Sequence, residues 1–185
     1  MAIPKKITNY LDKAKIKYDK LEHRVVYTAH DLAATLKEKM QNIAKTLLVK
    51  VDKRYVLIVL PAHYKLDMAA VKKFYKAKKA EIAKEGMIKK LLGGKPGALT
   101  PFGALHKVDV AIDKALMKTD KAIVRAESYT ESLRMKIKDL QELEDAAVGA
   151  FGKVIKVRQQ QKSQKKTAKK PAKKKSRGKK HTKKK

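Results

Sequence analysis

The sequence contains no cysteine and no tryptophan. Without cysteine the chain forms no disulfide and offers no thiolate as a nucleophile or metal ligand. A Gly-x-Ser-x-Gly nucleophile elbow is also missing. The histidines lack the His-Glu-x-x-His pairing of a zinc site and are scattered, at His23, His30, His63, His106 and His181. These absences argue against a protein nucleophile and a catalytic metal, and we expect no cofactor.

Long apolar runs are missing as well. No stretch approaches the roughly 20 apolar residues that span a bilayer, and residues 1–9 lack the apolar run of a secretory signal. We therefore expect a cytoplasmic protein with no membrane partner. Apolar residues still make up 43% of the 185 positions, which is enough for one domain with a packed core.

Acidic residues are few, and the formal net charge is +30. Residues 158–185 carry 15 Lys and Arg with no Asp or Glu, so residues 1–157 carry the other +15. A surface this basic favours polyanions such as nucleic acid. The C-terminal part has no apolar side chain larger than alanine, so burial cannot offset its ordering entropy. We predict a folded domain over residues 1–157 and a disordered basic tail over residues 158–185.

Two apolar, β-branched-rich runs stand at residues 45–51 and 55–60, separated by a short polar turn. This pattern predicts a β-hairpin. Both runs are nearly continuous in apolar residues, which is typical of strands covered on both faces. Lys45 stands at the start of the first run and is either an edge residue that reaches water or a cation directed into a pocket.

Other segments alternate between helical and extended patterns without a strict βαβ rhythm, which indicates a mixed α/β (α+β) fold. Thr28 and Asp67 are predicted N-caps, and residues 61–64 are expected to break the second hairpin strand. The predicted helices span residues 4–14, 28–39, 67–77, 83–92 and 137–143. The predicted strands outside the hairpin span residues 16–21, 108–113 and 121–125.

Residues 93–103 contain four glycines and two prolines and cannot form a regular element. This loop is either a plain surface loop or a ligand-binding loop that offers backbone N–H donors. It is not a Walker loop, because Pro96 follows Gly94 and Lys95. Among carboxylates, Asp109, Asp113 and Asp120 are candidates for acid–base chemistry, although Asp109 and Asp113 are better explained as caps of a strand or turn.

Six segments, in this order and spacing, resemble the YbaK/prolyl-tRNA-synthetase-associated editing domain, a family of aminoacyl-tRNA deacylases. The resemblance covers residues 5–152 and implies a curved, mixed, largely antiparallel sheet flanked by helices. The segments are Val-Tyr-Thr-Ala at 26–29, Ile-Ala-Lys-Thr-Leu at 43–47, Leu-Pro-Ala-His-Tyr-Lys-Leu-Asp at 60–67, Pro-Gly-Ala-Leu-Thr-Pro-Phe-Gly at 96–103, Val-Ala-Ile-Asp at 110–113 and Thr-Glu-Ser-Leu-Arg-Met at 130–135.

The resemblance implies a trans-acting hydrolase that removes a wrongly attached amino acid from the 3′ end of tRNA, with a tRNA-Pro-type editing activity. Its partners would be the aminoacylated 3′ end of tRNA and an aminoacyl-tRNA synthetase. Lys45 matches the key lysine of the family, and residues 97–101 match the loop that holds the aminoacyl group. The implied substrate-binding residues are Tyr27, Thr28, Thr46, His63, Gly97, Ala98, Pro101, Phe102, Gly103, Asp113, Ser128, Thr130 and Ser132.

One departure from the family pattern falls beside the expected pocket. Where the family has glycine after alanine, this chain has Glu127 between Ala126 and Ser128. The carboxylate either changes the amino-acid specificity, blocks the site or points away from it. The alternative function is therefore a non-catalytic RNA- or DNA-binding protein, nucleoid- or ribosome-associated, that kept the fold and lost the activity.

The tail lies outside the resemblance. It is predicted to act as an electrostatic arm that raises the affinity for tRNA or ribosomal RNA through counterion release. Two other interpretations remain open, namely a solubilising extension and a histone-like segment that compacts DNA. The predicted nucleic-acid-binding residues are Lys165, Lys166, Lys169, Lys170, Lys173, Lys174, Lys175, Arg177, Lys179 and Lys180.

Overall fold

The computed structural model describes residues 2–94 and 97–155. The predicted tail, with the ten residues predicted to bind nucleic acid, therefore lies outside the described part of the chain. The helices are α1 Lys5–Lys13, α2 Ala29–Leu36, α3 Met68–Tyr75, α4 Glu85–Leu92 and α5 Ile137–Leu143. The strands are β1 Tyr18–Glu22, β2 Ala44–Val51, β3 Arg54–Pro61, β4 Tyr64–Leu66, β5 Ala80–Ile82, β6 Asp109–Asp113, β7 Lys121–Arg125, β8 Glu131–Lys136, β9 Ala147–Gly149 and β10 Gly152–Val154.

The strands form three sheets, and the predicted mixed α/β class is confirmed. The largest has the order β5-β2-β3-β6-β9, in which β3 pairs with β6 and β6 with β9 in parallel, while β2 pairs antiparallel with β3 and β5. Two smaller antiparallel sheets have the orders β1-β8-β7 and β10-β4. An isolated parallel bridge between Ile43 and Ile123 connects the three-stranded sheet to the start of β2.

The predicted hairpin is β2 and β3, and its apolar residues are buried on both faces of the sheet. Leu48, Leu57 and Val59 belong to a core cluster shared with α1, α4 and α5. Val49 and Ile58 face a second cluster that includes residues of α3. The near-continuous apolar runs therefore encode a central pair of strands with helices on both sides.

Both predicted N-caps are confirmed, because Thr28 Oγ1 accepts a hydrogen bond from Asp31 N at 3.0 Å and Asp67 Oδ1 accepts one from Ala69 N at 3.0 Å. The prediction that the second helix continues to residue 39 is wrong. It ends at Leu36, because Lys37 adopts a left-handed conformation with φ 54°. The expected strand break at residues 61–64 is confirmed, because β3 ends at Pro61, residues 62 and 63 form a turn and β4 begins at Tyr64.

Candidate functional site

A cavity of about 260 Å³ lies along one edge of β2. Side chains alternate between the two faces of a strand, yet residues 43–48 all line this cavity, so it runs along the edge of the strand. Strand β5 pairs only with Val49–Val51, so among the described residues no strand pairs with residues 44–48 opposite β3. The other lining residues are Tyr27, Thr28, Ala29, Ile82, Ile88, Gly97, Leu99 and Arg125.

Lys45 lines the cavity and is half-buried. Its Nζ donates hydrogen bonds to the carbonyl oxygens of Ala62, at 3.4 Å, and Tyr64. A lysine ammonium has three N–H donors, so within the described residues one donor remains for a ligand. Burial lowers the pKa of Lys45 because it disfavours the charged form. The interpretation of Lys45 as a cation directed into a pocket stays a prediction.

Arg125, at the end of β7, brings a second cation to the cavity. Its guanidinium is buried and donates to the carbonyl oxygens of Val26, Thr28 and Ser128 at 3.1, 3.3 and 3.4 Å. None of the ion pairs between described residues involves Arg125. Desolvation lowers its pKa. The sequence analysis missed Arg125, although a cation at the end of a buried strand is the same signal that singled out Lys45.

The cavity therefore has an electropositive lining. Lys45 and Arg125 are its two charged side chains, and no Asp or Glu is among the described residues that line it. The remaining wall is mostly aliphatic, which lowers the local dielectric and strengthens the field of the two cations. Such a site favours an anion or an oxygen that gains negative charge during a reaction.

Gly97 brings the glycine-rich loop against the opposite wall of the cavity. Its φ is +79°, and a Cβ at this position would stand 2.5 Å from the carbonyl oxygen of Tyr27. Both the left-handed conformation and the close backbone approach require glycine. The loop therefore lines the cavity through Gly97, and its role in binding a ligand stays a prediction.

We expect Gly97→Ala to destabilise the protein by more than about 2 kcal/mol, since left-handed backbone costs an L-residue roughly 1–2 kcal/mol and the methyl group also clashes with Tyr27 O. Gly93→Ala is the matched control. Gly93 has φ +62°, but a Cβ there meets nothing within 4 Å. In thermal unfolding, Gly97→Ala should lower the stability of the protein more than Gly93→Ala does. Equal losses of stability in the two variants would show that the close contact with Tyr27 O does not contribute to the cost of the substitution.

Other residues of the predicted loop are buried beside the cavity without lining it. Phe102 is fully buried in the main core and contacts the ring of Tyr10 edge-on, with ring centroids 6.2 Å apart. Gly103 allows a close backbone approach, because a Cβ there would stand 2.2 Å from Val108 O. Ala98 accepts a backbone hydrogen bond from Glu127 N at 3.1 Å, and Pro101 is buried. These four residues pack the loop into the fold and do not line the cavity.

Two further predicted residues lie away from the cavity. Asp113 is 2% exposed, and its carboxylate accepts hydrogen bonds from the backbone N–H groups of Ala115, Phe151 and Gly152 at 2.7 to 2.8 Å. This is the turn-capping role that the sequence pattern favoured. His63 lines a separate cavity of about 240 Å³, together with Tyr64.

Of the three predicted hydroxyl residues after β7, Ser128 and Ser132 are buried and Thr130 is half-buried. Ser128 Oγ accepts from the N–H groups of Thr130 and Glu131 at 3.1 and 3.0 Å. Ser132 Oγ lies 2.9 Å from His23 Nε2. None of the three is among the residues that line the cavity. Their hydrogen bonds shape the segment whose Ser128 carbonyl holds Arg125.

Glu127 points away from the cavity lining. Its carboxylate Oε1 lies 2.9 Å from Lys6 Nζ and 3.3 Å from His106 Nε2, and its side chain is 12% exposed. Its φ of 56° is left-handed, a conformation that glycine adopts without strain. Of the three consequences considered for this carboxylate, the contacts support the one in which it leaves the pocket open.

For the hydrolase activity that the family resemblance implies, we expect Glu127→Gly to change the rate by less than twofold, because the carboxylate is held by Lys6 and His106. Its stability should change little, since relief of left-handed strain offsets the lost ion pair. Glu127→Gln is the matched control, which keeps the side chain and removes the charge. A tenfold gain in rate for Glu127→Gly in a deacylation assay would show that the side chain obstructs the cavity.

Among residues 2–94 and 97–155, no group of three or more His, Asp or Glu side chains is placed to hold a metal ion. In the same part of the chain, no helix combines the length and the apolar character needed to cross a bilayer.

Several known proteins resemble this chain in sequence. The proline–tRNA ligase of Macrococcus caseolyticus is 33% identical over 101 residues, which are 55% of this chain and 18% of the ligase. This chain thus spans less than a fifth of the ligases that it matches first. The prolyl-tRNA editing protein ProX of Acetoanaerobium sticklandii is 27% identical over 147 residues, covering 76% of this chain and 90% of that protein.

Solved structures share the fold. Hypothetical protein APE2540 superposes with a TM-score of 0.76 at 19% identity, over 80% of this chain and 99% of that chain. A proposed trans-editing enzyme for prolyl tRNA synthetase superposes with a TM-score of 0.71 at 18% identity, over 80% of this chain and 96% of that chain. A family model described as the aminoacyl-tRNA editing domain matches residues 23–143, which is more than half of the chain. The chain therefore belongs to the aminoacyl-tRNA editing domain family, with the mixed α/β fold that the six sequence segments had indicated.

Proposed function

We propose that this chain is a trans-acting deacylase that hydrolyses the ester of mischarged tRNA, with a tRNA-Pro-type substrate. The observation that carries the proposal is the cavity along the edge of β2, which Lys45 and Arg125 line while no carboxylate is among its described lining residues. Family membership supplies the kind of activity, and the ProX relative covers most of this chain. The amino acid, the tRNA and the residue roles are the parts that we propose.

The reaction needs no protein nucleophile. Water attacks the ester carbonyl carbon, the bond between that carbon and the ribose oxygen breaks, and the proton of the water passes to the ribose oxygen. The free amino acid and the deacylated tRNA leave. Because a tRNA ester is already activated, the site mainly has to position it and stabilise the developing oxyanion. The remaining N–H of Lys45 is the donor that we assign to the carbonyl oxygen or the terminal phosphate.

Arg125 has a positioning role in this proposal. Its hydrogen bonds to Val26 O and Thr28 O hold the segment that carries Tyr27 and Thr28, which both line the cavity. Tyr27 is 63% exposed and contacts Tyr129 edge-on, with centroids 4.9 Å apart. An exposed ring at the mouth of the cavity suits stacking against the terminal base of the RNA.

The size of the cavity favours a small aminoacyl group. Its volume of about 260 Å³ lies just below the range of about 300–1,000 Å³ that is typical of sites for drug-sized ligands. Ile82, Ile88 and Leu99 contribute an apolar wall. Larger side chains would clash with this wall, whereas alanine-sized ones would fit.

The experiment is a deacylation panel with the full chain. Alanyl-, cysteinyl-, seryl- and prolyl-tRNA-Pro are incubated with the protein, and the released amino acid is measured. We expect turnover of one small mischarged amino acid and none of prolyl-tRNA-Pro. No turnover across the panel, with RNA binding retained, would instead support a binding protein that kept the fold.

A further inference from the structure

A second basic site lies at the tip of the β2–β3 hairpin. Lys53, Arg54, Lys78 and Lys79, here called the hairpin-tip cluster, line a depression of about 660 Å³ together with Val51, Asp52 and Tyr75. The four cations face one carboxylate, that of Asp52. All four are exposed, and nothing in the proposed chemistry at Lys45 uses them.

The cluster is held in place by the fold. Asp52 has a left-handed φ of 52°, and its carboxylate accepts hydrogen bonds from the backbone N–H groups of Lys78 and Lys79 at 3.3 and 2.8 Å. Its own N–H donates to Lys79 O at 3.0 Å. Asp52 therefore connects the hairpin turn to the segment before β5, and its negative charge is engaged by backbone donors.

The aromatic residue of the depression contacts a cation of the cluster. The Arg54 guanidinium lies 4.9 Å from the centroid of the Tyr75 ring. The ring also stacks on Phe151, with centroids 6.4 Å apart and an interplanar angle of 12°. The contact with the ring orients the Arg54 guanidinium beside the three lysines. A guanidinium held in this way is suited to bind phosphate oxygens.

The three lysines of the cluster keep their charges available. None of them takes part in an ion pair between described residues, and Arg54 makes only a long one, 3.9 Å from Asp109. Exposed lysines without a carboxylate partner are the side chains that release counterions when phosphates bind. This surface thus complements a polyanion.

The cluster stands beside the cavity on the same edge of the sheet. Lys79 directly precedes β5, and Ile82, the last residue of β5, lines the cavity. At about 3.3 Å per residue, the two positions are about 10 Å apart. Lys45 lies eight residues before Lys53, which is about 26 Å along an extended strand. A polyanion whose ester lies at Lys45 and that leaves the cavity past Ile82 would therefore pass over the cluster after about that distance.

We propose that the hairpin-tip cluster binds the phosphate backbone of the tRNA acceptor arm next to the ester-bearing 3′ end. This inference rests on the proposed deacylase function and adds a contact surface to it. Recognition through phosphates is blind to sequence, so the cluster sets affinity and orientation rather than the identity of the amino acid.

The first test removes the charges from the full chain. In the triple variant Lys53→Ala, Lys78→Ala and Lys79→Ala, we expect kcat/KM on the mischarged tRNA to fall at least tenfold, mainly through KM. Hydrolysis of the aminoacyl ester of adenosine, which has no acceptor arm, should stay within twofold. The control triple Lys13→Ala, Lys17→Ala and Lys121→Ala removes three exposed lysines elsewhere and should lower kcat/KM less than threefold. An equal fall in kcat/KM in the two triple variants would overturn the proposal.

The second test does not depend on turnover. Because the chain has no cysteine, Lys53→Cys or Lys17→Cys carries a single iron chelate that cleaves nearby RNA. With uncharged tRNA, we expect cleavage from position 53 in the acceptor arm and weaker, dispersed cleavage from position 17. Cuts from position 53 in the anticodon arm, or a pattern identical to that of position 17, would overturn the proposal. Acceptor-arm cuts in a protein without turnover would instead reject only the deacylase function.

Discussion

Lys45→Met is expected to lower kcat for ester hydrolysis by about 10²–10³, the usual loss when one oxyanion donor is removed. Methionine keeps the apolar stem of the side chain and removes the ammonium that Ala62 O and Tyr64 O hold at the cavity. Released amino acid is measured under single-turnover and steady-state conditions. A loss in kcat assigns Lys45 to the carbonyl oxygen, whereas a rise in KM alone assigns it to the phosphate.

Lys65→Met is the matched control for this variant. Lys65 is an exposed lysine of β4, next to the Tyr64 carbonyl that Lys45 contacts. Its replacement removes one positive charge from the same region without touching the cavity, so the rate should remain within twofold. Full activity of Lys45→Met would mean that the reaction takes place elsewhere or uses another donor.

The pH dependence provides a separate readout of Lys45. Burial lowers its pKa below the ordinary lysine value. Enzymatic hydrolysis, corrected for the spontaneous reaction, should therefore decline as pH rises, beginning at a lower pH than an exposed lysine would produce. Between the two pKa values the unfolded chain binds more protons at Lys45 than the folded one, so the stability contribution of this group rises with pH in that window. Lys45→Met should remove this contribution.

Deletion of residues 158–185 is expected to weaken tRNA binding at least about a hundredfold near physiological salt, because fifteen positive charges are lost and each neutralised phosphate contributes about 0.7–0.9 to the salt slope. The slope of log K against log salt should flatten accordingly. Fluorescence anisotropy at several salt concentrations measures both. At saturating tRNA, kcat should be unchanged, since the described residues that line the cavity all fall between positions 27 and 125.

A chain with a shuffled tail sequence is the control for the deletion. It keeps the charge and should bind tRNA as the native chain does, because counterion release is independent of sequence. Unchanged binding after deletion would make the tail a solubilising extension. Tighter binding to duplex DNA than to tRNA would favour the DNA-compacting interpretation.

Much of the fold was predictable from local patterns. The hairpin of β2 and β3 follows from two apolar runs around a polar turn, and the caps at Thr28 and Asp67 follow from short-range hydrogen bonds. By contrast, the short strands β5, β9 and β10 carry no pattern of their own. Each has three residues, too few to establish a period, and exists because a neighbouring strand offers hydrogen-bonding partners.

For the candidate site, too, the sequence predicted some of the residues that line the cavity and misplaced others. Sequence patterns and the family resemblance directed attention to Lys45, Thr46 and Gly97, which the structure brings together with Tyr27 and Thr28 around one cavity. The same reasoning placed Phe102 and Asp113 at the site. In the fold, Phe102 fills the core and Asp113 caps backbone N–H groups, because a motif shows which residues are close in sequence and not which way each side chain points.

The sequence by itself determined the central hairpin, the family and the excess of positive charge, since each is carried by residue types and local spacing. Only the tertiary structure decided that Arg125 reaches the cavity, that Glu127 turns toward Lys6 and His106, and that four cations gather at the hairpin tip. Arg125 contacts Val26 O across 99 positions of the chain. Contacts over such separations are set by how the sheets and loops pack, and no local pattern encodes them.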